Sequence, residues 1–228
     1  MNKHKENIFA LATPPGKSAI AIIRISGIDS FNIVNKISTN MPKAPNKATF
    51  NRIELNKKDI IDQTITTYFK APKSYTGEDM VEVSIHGGGS VIKKIINVLG
   101  NNKDTRIAEP GEFTRRAYEN NKLDLTQVEA IADLVNSETE AQRKQAIRQL
   151  GGELSRKIKE FSDRILKILA DAEAIIDFSD DELPKNLLNN TKEQIENISD
   201  KINNILINNN KGRKIREGFV VGIIGNTN

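Results

Sequence analysis

Hydrophobic positions change their period near residue 120, from short alternating runs bounded by turn residues to recurrences at three- and four-residue spacing. The first pattern predicts strands over 7–12 and 18–26, joined by Thr13-Pro14-Pro15-Gly16. It also predicts a helix over 29–38 with Phe31, Val34 and Ile37 on one face, and strands over 48–55 and 60–69 that form a hairpin at Asn56-Lys57-Lys58-Asp59. Within 74–89, Val81, Val83 and Ile85 alternate with Glu82, Ser84 and His86. A half-buried strand there puts Glu82 and His86 on its polar face. Gly87-Gly88-Gly89 then permits a tight turn into a helix over 90–99, whose first amides are free to meet an anion or simply begin a sterically tight turn.

The stretch from Arg106 to Leu134 joins the two patterns. Pro110-Gly111 breaks the chain, Phe113–Glu119 predicts a short basic helix carrying Arg115 and Arg116, and Asn120-Asn121 ends it, presenting Lys122 on a turn. Thr126 with Glu129 has the spacing of a reciprocal helix cap, and Ser137 with Glu140 and Thr191 with Gln194 repeat it. Ile147, Leu150, Leu154, Ile158, Phe161, Ile165, Ile168, Ala172 and Ile175 form a stripe at helical spacing, with a break expected at Gly151-Gly152. A last helix carries Ile195, Ile198, Ile202 and Ile205 and ends over Asn208–Gly212, so the second half reads as a helical bundle or part of one. The acidic turn Asp180-Asp181-Glu182 reads as an exposed loop or, alternatively, a cation site.

Charge and composition narrow the functions. The 228 residues carry a net charge of +4, divided unevenly: residues 1–118 hold 18 basic against 11 acidic side chains, and 119–228 hold 16 against 19. The first half is therefore the one expected near anions, although no basic stripe interleaved with aromatics marks it as a nucleic-acid surface. With no cysteine and only His4 and His86, thiolate and imidazole metal sites are not expected. The first residues do not read as a signal peptide and no segment reaches membrane-spanning length, which predicts a cytoplasmic location and no membrane partner. Arg24 interrupts the otherwise apolar run 18–26. It must reach solvent, an acid of the fold or a ligand anion, because burial without a partner is costly.

The C-terminal residues resemble the start of a phosphate-binding loop. Phe219–Ile224 is an apolar strand-like run followed by Gly225, Asn226, Thr227 and Asn228, whereas the full loop needs a second Gly, a Lys and a Ser or Thr. This predicts a piece of a longer protein that does not hydrolyse a nucleotide by itself.

Five stretches in order, ATPPGKSAIAIIRISG, SYTGEDMVEVSIHGG, RIAEPGEFTRRAYENNKLDLTQVEAIADL, DAEAIIDFSDDELP and REGFVVGIIGNTN, resemble the MnmE (TrmE) family of tRNA modification GTPases across essentially the whole chain. The resemblance implies an α+β chain. A mixed α/β folate-binding and dimerisation domain over 1–120, like that of aminomethyltransferases, precedes the first part of a helical-bundle domain over 121–216 and the start of a truncated P-loop GTPase domain over 217–228. It also implies Arg24, Glu82 and Lys122 as contacts to 5-formyltetrahydrofolate or methylenetetrahydrofolate. GTP would be met by Gly225, Asn226, Thr227 and Asn228, with Mg2+ as cofactor and K+ coordinated by Asn228 in the full-length protein. The implied partners are a second copy in a homodimer, the flavoprotein MnmG and tRNA. The implied reaction adds an aminomethyl-type group to C5 of a wobble uridine. A family Cys-Ile/Leu-Gly-Lys motif near the folate has no counterpart in these residues. The alternatives are a stand-alone folate-dependent aminomethyltransferase-like protein and a purely structural dimerisation module.

Overall fold

The computed structural model describes residues 6–56, 59–177 and 186–217, together with 222, 224 and 225. It divides into two compact units, Met1–Leu123 and Asp124–Asn228. The first is built on strands β1 (Asn7–Leu11), β2 (Ser18–Ser26), β3 (Ala48–Asn56), β4 (Asp59–Phe69), β5 (Met80–Gly87) and β6 (Thr105–Ile107), with helices α1 (Ser30–Asn35), α2 (Gly89–Gly100) and α3 (Glu112–Glu119). The strands form one sheet in the order β3-β4-β5-β2-β1-β6. Every neighbouring pair is antiparallel except β1 with β6, which is parallel.

Alternation along the strands decides which face is covered. Ile23, Ile25, Val81, Val83 and Ile85 are buried with Phe9, and Ile33, Val34, Ile95 and Leu99 from α1 and α2 complete this core. Phe31 and Ile37 pack against it from the predicted apolar face of the first helix. Glu82 and His86, at the intervening positions of β5, fall on the other face, as the strand period requires. Strand β6 escaped the sequence reading because three residues are too few to show a period.

Gly27 ends β2 at a close approach. Its φ is +139°, and an added Cβ would lie 2.4 Å from Asn7 Oδ1 and 2.8 Å from Asn7 Cα. Asn7 cannot retreat, since its Oδ1 accepts from the Asp29 amide at 2.9 Å and its Nδ2 donates to the Asp104 carbonyl at 3.0 Å. Gly27→Ala is expected to lower stability by about 2 kcal/mol or more through combined overlap and backbone strain. Urea unfolding measures this directly, and an unchanged midpoint would count against it.

The second unit holds α4 (Leu125–Val135), α5 (Glu140–Leu150), α6 (Glu153–Asp177) and α7 (Leu187–Glu217). All three expected caps shift. Asp124, rather than Thr126, starts α4: its carboxylate accepts from the Gln127 amide at 2.9 Å while its own amide donates to Gln127 Oε1 at 3.0 Å. Thr126 instead donates to Asp124 Oδ1, and an aspartate is the stronger cap. Thr139 with Gln142, rather than Ser137 with Glu140, makes the box of α5, because the Ser137 hydroxyl closes the end of α4 on the Leu134 carbonyl. Thr191 lies inside α7, where its hydroxyl donates to the Leu187 carbonyl one turn back.

The chain breaks between α5 and α6 at Gly151-Gly152, as its glycines predict; Gly152 has a φ of +76°. Helix α7 does not end over Asn208–Gly212 but continues to Glu217, where Arg216 pairs with Asp133 at 2.9 Å. The apolar stripe is divided between two helices and only partly covered: Ile168 is buried, whereas Ile158 and Ile165 are half exposed. Leu154, Ile158 and Phe161 of α6 and Ile202, Ile205 and Leu206 of α7 line a groove of about 510 Å³. The acidic turn Asp180-Asp181-Glu182 and residues 57–58 of the predicted hairpin turn lie outside the described residues. Among the described residues, no helix is long and apolar enough to cross a membrane.

Candidate functional site

The register of β2 against β5 sets Arg24 directly opposite Glu82 on the sheet face away from α1 and α2. Arg24 Nε donates to Glu82 Oε1 at 2.8 Å, and Nη2 lies 2.7 Å from the same oxygen. Both side chains stay about a quarter exposed, at 25 % and 22 %. Among the described residues, Arg24 Nη1 and Glu82 Oε2 have no protein partner. The pair thus leaves one donor and one acceptor unused on this face of the sheet. The guanidinium carbon also lies 5.2 Å from the ring centroid of Tyr75 and 5.4 Å from that of Phe113. Sequence reading missed both rings, since neither occupies a periodic position.

Tyr75 belongs to the loop 70–79, which many bonds fix. Asp79 accepts from Tyr68 Oη at 2.9 Å, Lys70 Nζ at 2.8 Å and the Ala71 amide at 2.8 Å. Burial alone would raise its pKa, but these donors hold it below the usual carboxylate value. The Tyr75 hydroxyl meets Thr114 Oγ1 at 2.8 Å, and Asn120 Nδ2 donates to the Thr76 carbonyl at 2.8 Å. Lys122 Nζ donates to the Pro72 carbonyl at 3.0 Å. Lys122 therefore leans on the same loop at a different residue from Arg24. Among the described residues, no hydrogen bond joins Lys122 to Arg24 or Glu82.

Behind the loop lies a charged cluster built around Arg116, one of the two arginines of the basic helix. Its side chain is 0 % exposed. Arg116 Nη1 donates to Glu78 Oε2 and to the Glu6 carbonyl, each at 3.0 Å, and Nη2 donates to Glu112 Oε1 at 3.1 Å. Glu112 also accepts two bonds from Arg106, at 2.8 and 2.7 Å, and one from the Glu109 amide at 2.8 Å. Glu78 accepts from Ser26 Oγ at 2.8 Å. Two guanidinium groups and two carboxylates thus neutralise one another, with Arg116, Glu78 and Glu112 closed off from water and Arg106 partly exposed. The spacing of Glu112 and Arg116, one helical turn apart, was the legible signal.

Arg106 first, then the Glu109 amide and Arg116, hold the Glu112 carboxyl at about 2 against an ordinary 4.5, despite burial. Since the folded pKa is the lower one, folding releases a proton here. The stabilisation is complete above about pH 4.5 and disappears as pH falls towards 2. Allowing for the 38 % exposure of Arg106, about 1–2 kcal/mol should be lost across that window. Urea midpoints measured through it should fall more steeply for the wild type than for Glu112→Gln; equal slopes would contradict this assignment.

His86 is not brought to the Arg24–Glu82 pair. Its Nδ1 lies 2.7 Å from Asp62 Oδ1 on β4, and its amide donates to Asp62 Oδ2 at 2.7 Å. Gly225 is exposed, while Asn226, Thr227 and Asn228 of the nucleotide loop lie outside the described residues. Among the described residues, no cluster of three His, Cys, Asp or Glu side chains is placed to hold a metal ion.

Two family models divide the chain between them. That of the GTP-binding protein TrmE N-terminus matches residues 7–122, and that of the MnmE helical domain matches 125–220. The chain belongs to the MnmE (TrmE) family. Curated proteins named tRNA modification GTPase MnmE agree. The Pelagibacter ubique protein is 41 % identical over 222 residues, covering 97 % of this chain and 50 % of the relative. The Caulobacter vibrioides protein is 40 % identical over 223 residues, with 98 % and 49 % covered. That of Aquifex aeolicus is 42 % identical over 229 residues, with 98 % and 50 % covered. The chain spans about half the length of the curated MnmE relatives it matches. The sheet unit thus contains the matched N-terminal domain, and the helices from Leu125 belong to the matched MnmE helical domain.

Proposed function

We propose that the sheet unit binds a reduced folate at the Arg24–Glu82 face, as part of a longer protein that couples GTP hydrolysis to tRNA modification. The supporting observation is the open donor–acceptor pair: Glu82 Oε2 suits the amino and ring N–H groups of a pterin, and Arg24 Nη1 suits a carbonyl or carboxylate oxygen. Lys122, which follows α3 and donates to the loop that carries Tyr75, extends the cationic side of the site towards the ligand's carboxylates. Bound there, 5-formyl- or methylenetetrahydrofolate would supply a one-carbon unit. This chain's residues orient the pterin and hold its hydrogen-bonding edge against the sheet.

The longer protein, as a homodimer working with the flavoprotein MnmG in the cytoplasm, would place an aminomethyl-type group on C5 of a wobble uridine of tRNA. The loop from Gly225 to Asn228 would begin its GTP, Mg2+ and K+ site, with Asn228 on the potassium. The relatives' name, tRNA modification GTPase, supports the GTPase and tRNA parts of this reading. Calorimetric titration of the 228-residue chain with 5-formyltetrahydrofolate should give saturable binding at one site per chain. A folded chain that takes up no folate would overturn the site assignment.

A further inference from the structure

Arg24 has a long side chain on an open sheet face, a setting in which a guanidinium ordinarily samples many rotamers. Three groups from three elements restrict it. Glu82 of β5 occupies its Nε/Nη2 edge at 2.8 and 2.7 Å. Tyr75 of the 70–79 loop and Phe113 of α3 turn their ring faces to its central carbon at 5.2 and 5.4 Å. Both rings are half-buried and neither belongs to the hydrophobic core, so packing of the core does not account for them. The Tyr75 ring is fixed in turn, because its hydroxyl is bonded at 2.8 Å to Thr114, the neighbour of Phe113. Loop and helix therefore reach Arg24 as one linked pair of rings.

We propose that Tyr75 and Phe113 are positioning residues: their ring faces hold the Arg24 guanidinium so that Nη1, the nitrogen left by Glu82, is presented to the ligand. The Tyr75–Thr114 hydrogen bond sets the spacing of the two rings. Holding the donor in place before binding removes side-chain entropy that the ligand would otherwise have to overcome. The identity of the ligand rests on the folate reading, whereas the restriction of Arg24 is a property of the unliganded chain.

Phe113→Leu, Tyr75→Leu and Tyr75→Phe separate these roles. In the unliganded wild type, the two rings should displace the Arg24 Nε–H resonance from the ordinary arginine position. Each leucine variant should move it back and weaken 5-formyltetrahydrofolate binding about tenfold, with the sheet amide spectrum retained. Tyr75→Phe keeps the ring and should retain most of the displacement, with binding weakened about threefold. An Nε–H resonance unmoved by Phe113→Leu would overturn the proposal, as would unchanged affinity in both leucine variants while the wild type binds. Failure of the wild type itself to bind would overturn the folate reading and leave the Nε–H comparison to decide this one.

Discussion

Arg116→Met is expected to destabilise the sheet unit by about 3–5 kcal/mol. The guanidinium is 0 % exposed and lies between Glu78, 2 % exposed, and Glu112, 0 % exposed. Removing it leaves the two carboxylates unequally served. Glu112 keeps both bonds from Arg106, whereas Glu78 keeps only neutral partners such as Ser26 Oγ. Nearly all of the penalty should therefore fall on Glu78. That makes a second variant informative: Glu78→Gln added to Arg116→Met removes the stranded charge and should recover a substantial part of the loss. Urea unfolding followed through the sheet measures both. A loss below about 1 kcal/mol for Arg116→Met would mean that water reaches the cluster and screens it.

The second large effect is on binding. Glu82→Ala is expected to weaken 5-formyltetrahydrofolate by about ten- to a hundredfold, the range for losing charge-assisted hydrogen bonds and freeing Arg24 from its orienting partner. Arg24→Met should weaken it comparably. Because water still reaches both side chains, neither variant should lower the unfolding midpoint as far as Arg116→Met does. Affinity and stability thus separate here, as they do not for Arg116. A variant that loses stability and keeps affinity would assign the pair to the fold instead of the ligand.

How far the sequence revealed these features follows from the range of the interactions involved. Strand alternation at Val81, Val83 and Ile85 was enough to put Glu82 on the open face, because a period of two depends on the backbone alone. The glycine pair 151–152 located the break between α5 and α6 for the same local reason. Caps were displaced by a few residues because several Asp, Ser and Thr side chains compete for each helix start, and Asp124 is favoured over Thr126 by acceptor strength.

The buried cluster was harder to see, since Arg116 meets Glu78 across 38 residues of chain, a pairing with no periodic signature. For the same reason Arg115 and Arg116, adjacent in sequence, were read alike, although the first is half exposed and the second has no exposed side-chain surface. Tyr75 and Phe113 converge on Arg24 only once the loop is closed on α3 by the Tyr75–Thr114 bond, 39 residues apart.

The most direct test is to map the folate onto the chain by NMR, following backbone amides while 5-formyltetrahydrofolate is added to one equivalent. The shifts should be largest at Arg24, Glu82, Tyr75, Phe113 and Lys122 and should saturate together. Saturating shifts confined to the helices beyond Asp124, or to the face covered by α1 and α2, would contradict the site proposed at β2 and β5.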